Sequence, residues 1–242
     1  MRMGLDLGPK FYSQNALKPS SEDQMAFLVS TQRWALILFL GFLVLVQGIL
    51  RIAKRLHPVP APALATRLID NPIRRRFFQR PEVVADRVRL EPGMDVVEIG
   101  PGKESYTLAI AERVAPDGKV YAIDIQQAVV ERLRRRAEKE GVMNLYPRVD
   151  DAYDLSFEDG SVDRVVAIAC LPEIPEPVRA LREFHRILKP DGLVCLSELL
   201  PDPDYPWRGT EKRWADEAGF ELSEEFGNWF VYQLNFRKKL SD

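Results

Sequence analysis

The chain has 242 residues, 46% of them hydrophobic and 10% aromatic, which is enough for a sizeable core and allows one large domain with an appendage. Its two cysteines, Cys170 and Cys195, lie in apolar runs and are interpreted as buried small hydrophobes in a reducing compartment, and its two distant histidines do not predict a metal site. The net charge of −2 is uneven, because residues 51–80 carry eight Lys or Arg against one acid while residues 81–242 sum to −10, which disfavours nucleic acid as a partner.

The first recognisable element is an apolar run, Trp34 to Leu50, with no charge and one polar side chain, Gln47. Extended to residue 53, it is long enough to cross a membrane as a helix. The sequence therefore predicts a tail over residues 1–33 and a single transmembrane helix over 34–53. Two alternatives fit less well: a buried core helix would show a polar face, and a signal peptide would have a short basic start with a cleavage site soon after the run.

Basic residues around the apolar run predict its orientation. Two precede it, Lys18 and Arg33, and four follow it within the range that counts, Arg51, Lys54, Arg55 and Arg67. The more basic flank stays in the cytoplasm, so the C-terminal part is expected there. The basic collar, residues 51–80, is interpreted as a neighbour of anionic lipid, with the run Arg74 to Phe78 docking on it, and a solvated basic linker is the alternative.

Residues 54–80 are predicted to form this linker with a short helix, and residues 81–242 a single domain. From Asp95 onward, apolar strands alternate with amphipathic helices. The predicted strands are Asp95–Gly100, Lys119–Asp124, Leu145–Val149, Asp163–Cys170 and Gly192–Leu199, and the helices are Pro81–Val88, Glu104–Val114, Gln126–Gly141, Glu176–Leu188 and Thr210–Ala218. Near-continuous apolar strands are typical of a parallel sheet covered on both faces, so the fold class is doubly wound α/β.

The pattern changes near the C-terminus. Glu221–Phe226 and Trp229–Arg237 are predicted strands joined through Gly227 and Asn228, a pair typical of hairpins. The expected fold is thus a mostly parallel, seven-stranded sheet that ends in an antiparallel hairpin. An ordinary dinucleotide dehydrogenase sheet does not end in this way.

Candidate ligand-binding residues lie at successive strand ends. Gly100 and Gly102 follow the first strand, where glycines allow close backbone approach and a helix start offers N–H groups to an anion. Asp124 ends the second strand, where a carboxylate can accept two ribose hydroxyls. Asp151 and Ala152 follow the third, where an acid can bind an adenine amino group. Each acid on its own is explained equally well as a solvated loop carboxylate. The glycines and the two acids at three successive strand ends nevertheless predict, together, a nucleotide site.

Four segments together resemble a known family. VVEIGPG, VYAID, DDAYDLSFEDGSVD and LREFHRILKPDGLVCLSE are similar to successive motifs of class I S-adenosylmethionine-dependent methyltransferases. The closest likeness is to the branch of ubiquinone and menaquinone biosynthesis enzymes and other small-molecule methyltransferases. It covers about residues 81–242 and implies a Rossmann-like methyltransferase fold with S-adenosyl-L-methionine as the cofactor.

The resemblance also implies roles for single residues. The cofactor-binding positions are Glu98, Gly100, Pro101 and Gly102 around the methionine end, Asp124 on the ribose, Ile125, Asp151 and Ala152 around adenine, and Ala169 beside the transferred methyl group. One position departs from the family pattern, because Glu104 stands where a third glycine is usual. Its carboxylate would repel the cofactor's carboxylate, unless it turns outward or contacts the ammonium group.

A general base is needed only if the methyl acceptor must lose a proton. Glu173, after the fourth strand, is the first candidate, and Glu198, at the end of the fifth, is the second. Glu173 is equally well explained as a helix-start carboxylate. No residue pattern predicts the oligomeric state.

The predicted function is methyl transfer to a small acceptor resident in the membrane, such as a lipid or isoprenoid quinone, at the cytoplasmic face. A membrane-tethered cofactor-binding module without catalysis is the alternative. A nicotinamide-dependent oxidoreductase is less well supported, since it would want glycine where Ser105 stands and rarely has an acid at Glu98.

Overall fold

The computed structural model describes residues 21–56, 74–102, 105–200 and 202–239. The chain divides into two compact units, 1–46 and 47–242. In the first unit the main element is helix α1, Ser21–Leu56, which continues into the second. The helix begins thirteen residues before the predicted span at residue 34, so part of the predicted tail is helical.

The segment Ser30–Ile52 of α1 is long and apolar enough to cross a membrane. It has 23 residues and a mean hydropathy of 2.4, and none of its most apolar window is buried. Length and composition alone do not separate a membrane span from a core helix, but a core helix would be mostly buried. Twelve large apolar side chains between Trp34 and Ile52 are instead exposed.

The second unit alternates strands with helices. After a single π-helical turn, Arg74–Phe78, its helices are α2 Pro81–Arg87, α3 Ser105–Val114, α4 Gln127–Glu140, α5 Pro177–Ile187 and α6 Arg208–Glu217. Its strands are β1 Asp95–Ile99, β2 Lys119–Asp124, β3 Leu145–Val149, β4 Val162–Ile168, β5 Leu188–Leu199, β6 Phe220–Gly227 and β7 Val231–Lys238. These bounds agree with the predicted elements to within a few residues.

One predicted boundary is wrong. The segment Lys189–Gly192 was expected to end the helix before β5, but Leu188 already pairs with Val162 of β4. The next pair along the ladder is Arg164 with Leu193, so the four residues between form a bulge inside the strand pair. Pairing with β4, which lies far away in sequence, overrides the local turn signal.

The strands form one seven-stranded sheet in the order β3-β2-β1-β4-β5-β7-β6. Strands β1 to β5 pair in parallel, and β7 pairs antiparallel with both β5 and β6. The predicted fold class is therefore confirmed. The second strand of the hairpin inserts next to β5, which places its first strand at the sheet edge.

Apolar side chains from both faces of the sheet form two cores. Val97 and Ile99 face the core covered by α5 and α6, whereas Val96 faces the core covered by α2, α3 and α4. Alternate residues of a strand point to opposite faces, so a strand between two helical layers has to be apolar throughout. The strand order reverses around β1 and β4, and in such sheets the crevice at the carboxyl ends there is the usual ligand site.

Candidate functional site

A pocket opens at the carboxyl ends of β1, β2 and β4, at this reversal of strand order. All nine residues proposed for the cofactor line it: Glu98, Gly100, Pro101, Gly102, Asp124, Ile125, Asp151, Ala152 and Ala169. Glu173 lines it as well. These residues come from the carboxyl ends of four strands, β1 to β4, and the segments that follow them, and the sheet brings them together.

The glycine loop after β1 requires glycine for two reasons. Gly100 and Gly102 have φ angles of +63° and +48°, in the left-handed region that other residues avoid. A Cβ atom on Gly100 would lie 2.3 Å from the Sγ atom of Cys170, at the end of β4. The loop is therefore packed directly on the neighbouring strand end. Glu104, the residue at the third glycine position, lies outside the described residues.

Glu98 is a fully buried carboxyl group in the pocket wall. Burial raises its pKa to about 7, and the nearby Thr107 hydroxyl opposes this shift. Within the described part of the chain, its Oε2 atom has no hydrogen-bond partner. A buried carboxylate oxygen without a donor fits a bound cation. The ammonium group of S-adenosylmethionine has the matching charge.

Asp124 is held by its own turn. Its Oδ1 atom accepts a hydrogen bond of 2.8 Å from the backbone N–H of Gln126, the residue directly before α4. Burial raises its pKa, and the Gln126 N–H and the positive charge of Arg132 both oppose the shift. Arg132 also donates to the carbonyl of Gly102, so one side chain links α4 to the glycine loop. The remaining carboxylate surface of Asp124 faces the pocket.

Another part of the pocket wall consists of residues after β2 and β3. Ile125 is mostly exposed and presents an apolar surface to the pocket. Asp151 accepts a 2.9 Å hydrogen bond from the backbone of Tyr153. Its neighbour Asp150 accepts bonds from the N–H groups of Asp151 and Ser156, which shape this loop. An exposed apolar side chain and a carboxylate in one pocket suit a flat heterocycle with an amino group.

Ala169 follows β4 with a φ angle of +50°. Such a conformation is unfavourable for alanine, and it is retained because the Ala169 N–H donates to the carbonyl of Ser197 at 2.8 Å. The strained residue lies in the pocket wall next to Cys170. Burial and the surrounding carboxylates raise the pKa of the Cys170 thiol well above its usual value. Cys170 is therefore a neutral, half-buried wall residue rather than the fully buried hydrophobe expected from the sequence.

The two candidate bases differ in position. Glu173 ends a short 3-10 turn, Leu171–Glu173, and lies in the pocket wall. Glu198 is fully buried in β5 and does not line the pocket. It lies against Glu211 of α6, which the sequence did not single out, and burial together with this second carboxyl group raises its pKa. Glu198 is therefore not supported as a base that contacts the acceptor.

The pocket also contains residues that the sequence analysis missed. Arg74 was expected to face a lipid surface, but it is buried and lines the pocket. Its Nε atom donates to Oε1 of Gln79 at 2.8 Å, and Gln79 in turn donates to Ser197 of β5 at 2.7 Å. Nothing in the sequence distinguishes Arg74 from its two basic neighbours. Asp202 lines the pocket as well, from a loop that the predicted elements do not cover.

Comparison with known proteins agrees with this geometry. Residues 97–196 match the family model described as a methyltransferase domain. Residues 97–196 therefore form a methyltransferase domain. The resemblance found in the sequence is thereby confirmed, and the family and the fold imply S-adenosylmethionine as the cofactor. The domain model begins inside β1, so Arg74 and Asp202 lie outside the matched range.

Relatives of the methyltransferase domain include enzymes named for quinone biosynthesis. The chain is 30% identical over 128 residues to demethylmenaquinone methyltransferase of Geobacillus stearothermophilus, covering 52% of this chain and 55% of that protein. It is 33% identical over 152 residues to the ubiquinone/menaquinone biosynthesis C-methyltransferase UbiE of Bordetella avium, covering 57% and 59%. The chain thus spans little more than half the length of these relatives.

A solved structure shows the same fold. The crystal structure of an S-adenosylmethionine-dependent methyltransferase from Aquifex aeolicus superimposes with a TM-score of 0.68 at 22% identity. The match covers 73% of this chain and 98% of that one. The methyltransferase fold is therefore present nearly entire in this chain.

Proposed function

We propose that this chain transfers a methyl group from S-adenosylmethionine to an apolar or amphipathic acceptor of the membrane, such as a lipid or an isoprenoid quinone. The observation that carries methyl transfer is the convergence of Glu98, the glycine loop and Asp124 on one pocket of a methyltransferase domain. The whole activity is a proposal, because the curated relatives are matched over only part of their length.

Each pocket residue has a proposed role. Glu98 pairs with the ammonium group of the cofactor, and the backbone of residues 100–102 borders its methionine part. Asp124 accepts hydrogen bonds from the ribose hydroxyls. Ile125 packs on adenine, while Asp151 and Ala152 border its edge. These roles match the burial of the two carboxyl groups. Fully buried Glu98 is assigned a cationic partner, and half-buried Asp124 is assigned neutral hydroxyls.

The bound cofactor supplies an electrophilic methyl group on a sulfonium, so the protein contributes mainly positioning in a dry pocket. Ala169 and Cys170, beside the glycine loop, form the wall at which donor and acceptor meet. Glu173 takes a proton from the acceptor where the chemistry requires it, because it is the candidate base that lines the pocket. An acceptor that is already a nucleophile needs no base.

Two observations support a membrane acceptor. The relatives described above are named for menaquinone and ubiquinone biosynthesis. In addition, Ser30–Ile52 has the length and composition of a membrane span and is exposed. A single-pass anchor raises the encounter rate with an acceptor dissolved in the bilayer. The basic flank from Arg51 to Arg67 favours a cytoplasmic position of the methyltransferase domain.

A label-transfer assay tests this proposal. The full-length protein, reconstituted in vesicles made from host lipid, is supplied with methyl-labelled S-adenosylmethionine, and the label is followed into the organic and aqueous phases. Label in an organic-phase acceptor is expected, and Asp124→Ala is expected to reduce it. Label confined to an aqueous metabolite would contradict a membrane acceptor. Cofactor binding without any transfer would favour the non-catalytic tethered module.

A further inference from the structure

A group of aromatic side chains is exposed on the second unit. We call Phe77, Phe78, Trp207, Trp229 and Phe230 the aromatic patch. The exposed fractions are 72% for Phe77, 46% for Phe78, 59% for Trp207 and 66% for Trp229. Single exposed apolar residues are common, but a contiguous group of large rings indicates a surface that meets a partner.

Contacts between three distant segments hold the patch together. Phe78, from the π-helical turn, packs on Phe230 of the β6–β7 hairpin with ring centroids 5.1 Å apart. The backbone of Phe230 accepts a 2.8 Å hydrogen bond from Leu200, just after β5. Tyr205 joins the third segment, since its hydroxyl donates to the carbonyl of Trp229 at 2.6 Å and its ring lies 5.9 Å from Trp207. The rings are therefore fixed by the fold.

The patch adjoins the methyltransferase pocket. Phe77 and Phe78 belong to the same π-helical turn as Arg74, and Leu200 and Tyr205 flank Asp202 in the chain. Both Arg74 and Asp202 line the pocket. The segments that present aromatic rings outward thus also form one rim of the pocket.

We propose that the aromatic patch is a membrane-contact surface, at which the methyltransferase domain inserts its rings into the headgroup region of a bilayer. Trp and Phe beside basic residues are the composition that binds this region. Exposed Arg76 supplies such a residue, with its guanidinium carbon 5.7 Å from the centre of the Phe77 ring. Apart from Arg74, which lines the pocket, the collar that contains the π-helical turn has seven basic residues against one acid, which complements anionic lipid.

Arg51, in the last part of α1, contacts a residue that supports the aromatic patch. Within the second unit, Arg51 donates a 2.6 Å hydrogen bond to the carbonyl of Leu200, the residue that also binds Phe230. Arg51 lies at the end of the apolar segment Ser30–Ile52. The inference goes beyond the proposed function, which requires only an anchor. It adds that an acceptor could pass from the bilayer into the pocket along the patch.

The four tryptophans of the chain allow a direct test in the full-length protein. Three single-tryptophan variants retain Trp229, Trp214 or Trp34, with the other three changed to phenylalanine so that the patch stays aromatic. Each is reconstituted in vesicles of phosphatidylcholine and phosphatidylglycerol that carry a nitroxide lipid labelled near the headgroup. Trp214 is the matched control, because it lies on α6 and packs against the hydrophobic core. Trp34 reports on the apolar helix separately.

Strong quenching and a blue-shifted emission are expected for Trp229, with little quenching of Trp214. If Trp229 and Trp214 are quenched equally weakly while Trp34 shows insertion, the aromatic patch does not contact the membrane. The apolar helix would then remain the proposed anchor. A Trp229 shift that depends on protein concentration in detergent, without lipid quenching, would mean that a second copy covers the patch. Methyl transfer is measured independently of all three signals.

A single substitution provides a second test if the variants with three changes fold poorly. Trp229→Phe alone, in the otherwise native chain, reduces the component of the emission that headgroup-labelled lipid quenches, while Trp34 and Trp207 retain their part of it. An unchanged quenched component would assign the signal to another tryptophan and contradict the proposal.

Discussion

At the residue scale, burial distinguishes Glu98 from Asp124, two of the carboxyl groups that line the pocket. Glu98 lies fully inside the wall and has a pKa of about 7, so its charge changes near neutral pH. Asp124 is half-buried and keeps a backbone donor, the N–H of Gln126, and a nearby cation, Arg132. These differences lead to separate predictions for the two residues.

Asp124→Ala is expected to weaken S-adenosylmethionine binding by about 1.5–3 kcal/mol, the scale of hydrogen bonds to a charged group. Isothermal titration calorimetry measures the affinity. Asp117→Ala serves as the control, because Asp117 is exposed in a turn away from the pocket. Wild-type affinity in a folded Asp124→Ala protein would remove Asp124 from the proposed site.

Cofactor affinity is expected to fall as the pH is lowered through about 7, the pKa of Glu98. The ionised carboxylate of Glu98 attracts the ammonium group of the cofactor, so binding lowers the pKa of Glu98. At a pH below that pKa, binding therefore releases a proton. Calorimetry in buffers of different ionisation enthalpy measures this proton release. Glu98→Gln should bind more weakly and lose the pH dependence. An equal pH dependence in Glu98→Gln would assign the linkage to another group.

At the element scale, the contacts between neighbouring strand ends position the site. The loop after β1 packs on the end of β4 through Gly100 and Cys170. The end of β5 packs on α6 through the buried carboxyl groups of Glu198 and Glu211. The first contact joins segments that are distant in sequence, the second joins consecutive elements, and each can be tested by replacing one partner.

Gly100→Ala is expected to destabilise the protein by about 2–4 kcal/mol, because the added Cβ overpacks the site and the left-handed conformation is strained. The clash is with the Cys170 side chain, so Gly100→Ala combined with Cys170→Gly should recover part of the loss. Urea unfolding of the single and double variants forms a double-mutant cycle. Strictly additive changes in the free energy of unfolding would show that residues 100 and 170 do not interact.

Glu211→Gln is expected to stabilise the protein at about pH 9 and to have less effect at about pH 5. Burial raises the pKa of Glu211 above 4.5, so the stability that its protonated form provides is present at low pH and lost as the pH rises through the folded pKa. We expect the free energy of unfolding of Glu211→Gln to be higher by at least about 1 kcal/mol at about pH 9, since a shift of one pKa unit corresponds to about that much. Thermal unfolding measures it, and exposed Glu217→Gln on the same helix is the control. A gain independent of pH would contradict this explanation.

At the scale of the whole molecule, an apolar helix and an acidic α/β unit share one chain. Residues 81–242 carry a net charge of −10, and the excess of basic residues lies in the collar between the apolar segment and this acidic part. An acidic surface is repelled by anionic lipid, so association depends on the helix, the collar and the aromatic patch. The membrane hypothesis therefore has to be tested on the intact chain.

Leu40→Asp combined with Val44→Asp is expected to move the protein from the membrane fraction to the soluble fraction. An aspartate at the centre of a span costs about 2.5–3.5 kcal/mol in insertion free energy. Fractionation with an alkaline wash measures the distribution, and Leu40→Ala with Val44→Ala is the matched control. Cofactor affinity should not change, since neither residue lines the pocket. Retention of the aspartate variant in the membrane would show that Ser30–Ile52 is not the anchor.

The sequence by itself determined the elements and the order of the motifs. Strands β1, β2 and β3 are where the apolar runs predict them, and the glycine loop, Asp124 and Asp151 fall at their ends. These features are readable because a strand buried on both faces has to be apolar throughout. Parallel strands also bring their carboxyl ends to one edge, so residues in register along the chain converge in space.

Only the tertiary structure decided which residues meet across distant segments. Arg74 turns into the pocket because Gln79 and Ser197 hold it, whereas the sequence grouped it with exposed Arg76. Glu198, the second candidate base, is buried in β5 and does not line the pocket. The pairing of Phe78 with Phe230 is likewise absent from any local pattern. The physical reason is that periodicity reports which face of an element is buried, while the partner on that face is set by packing among all the elements together.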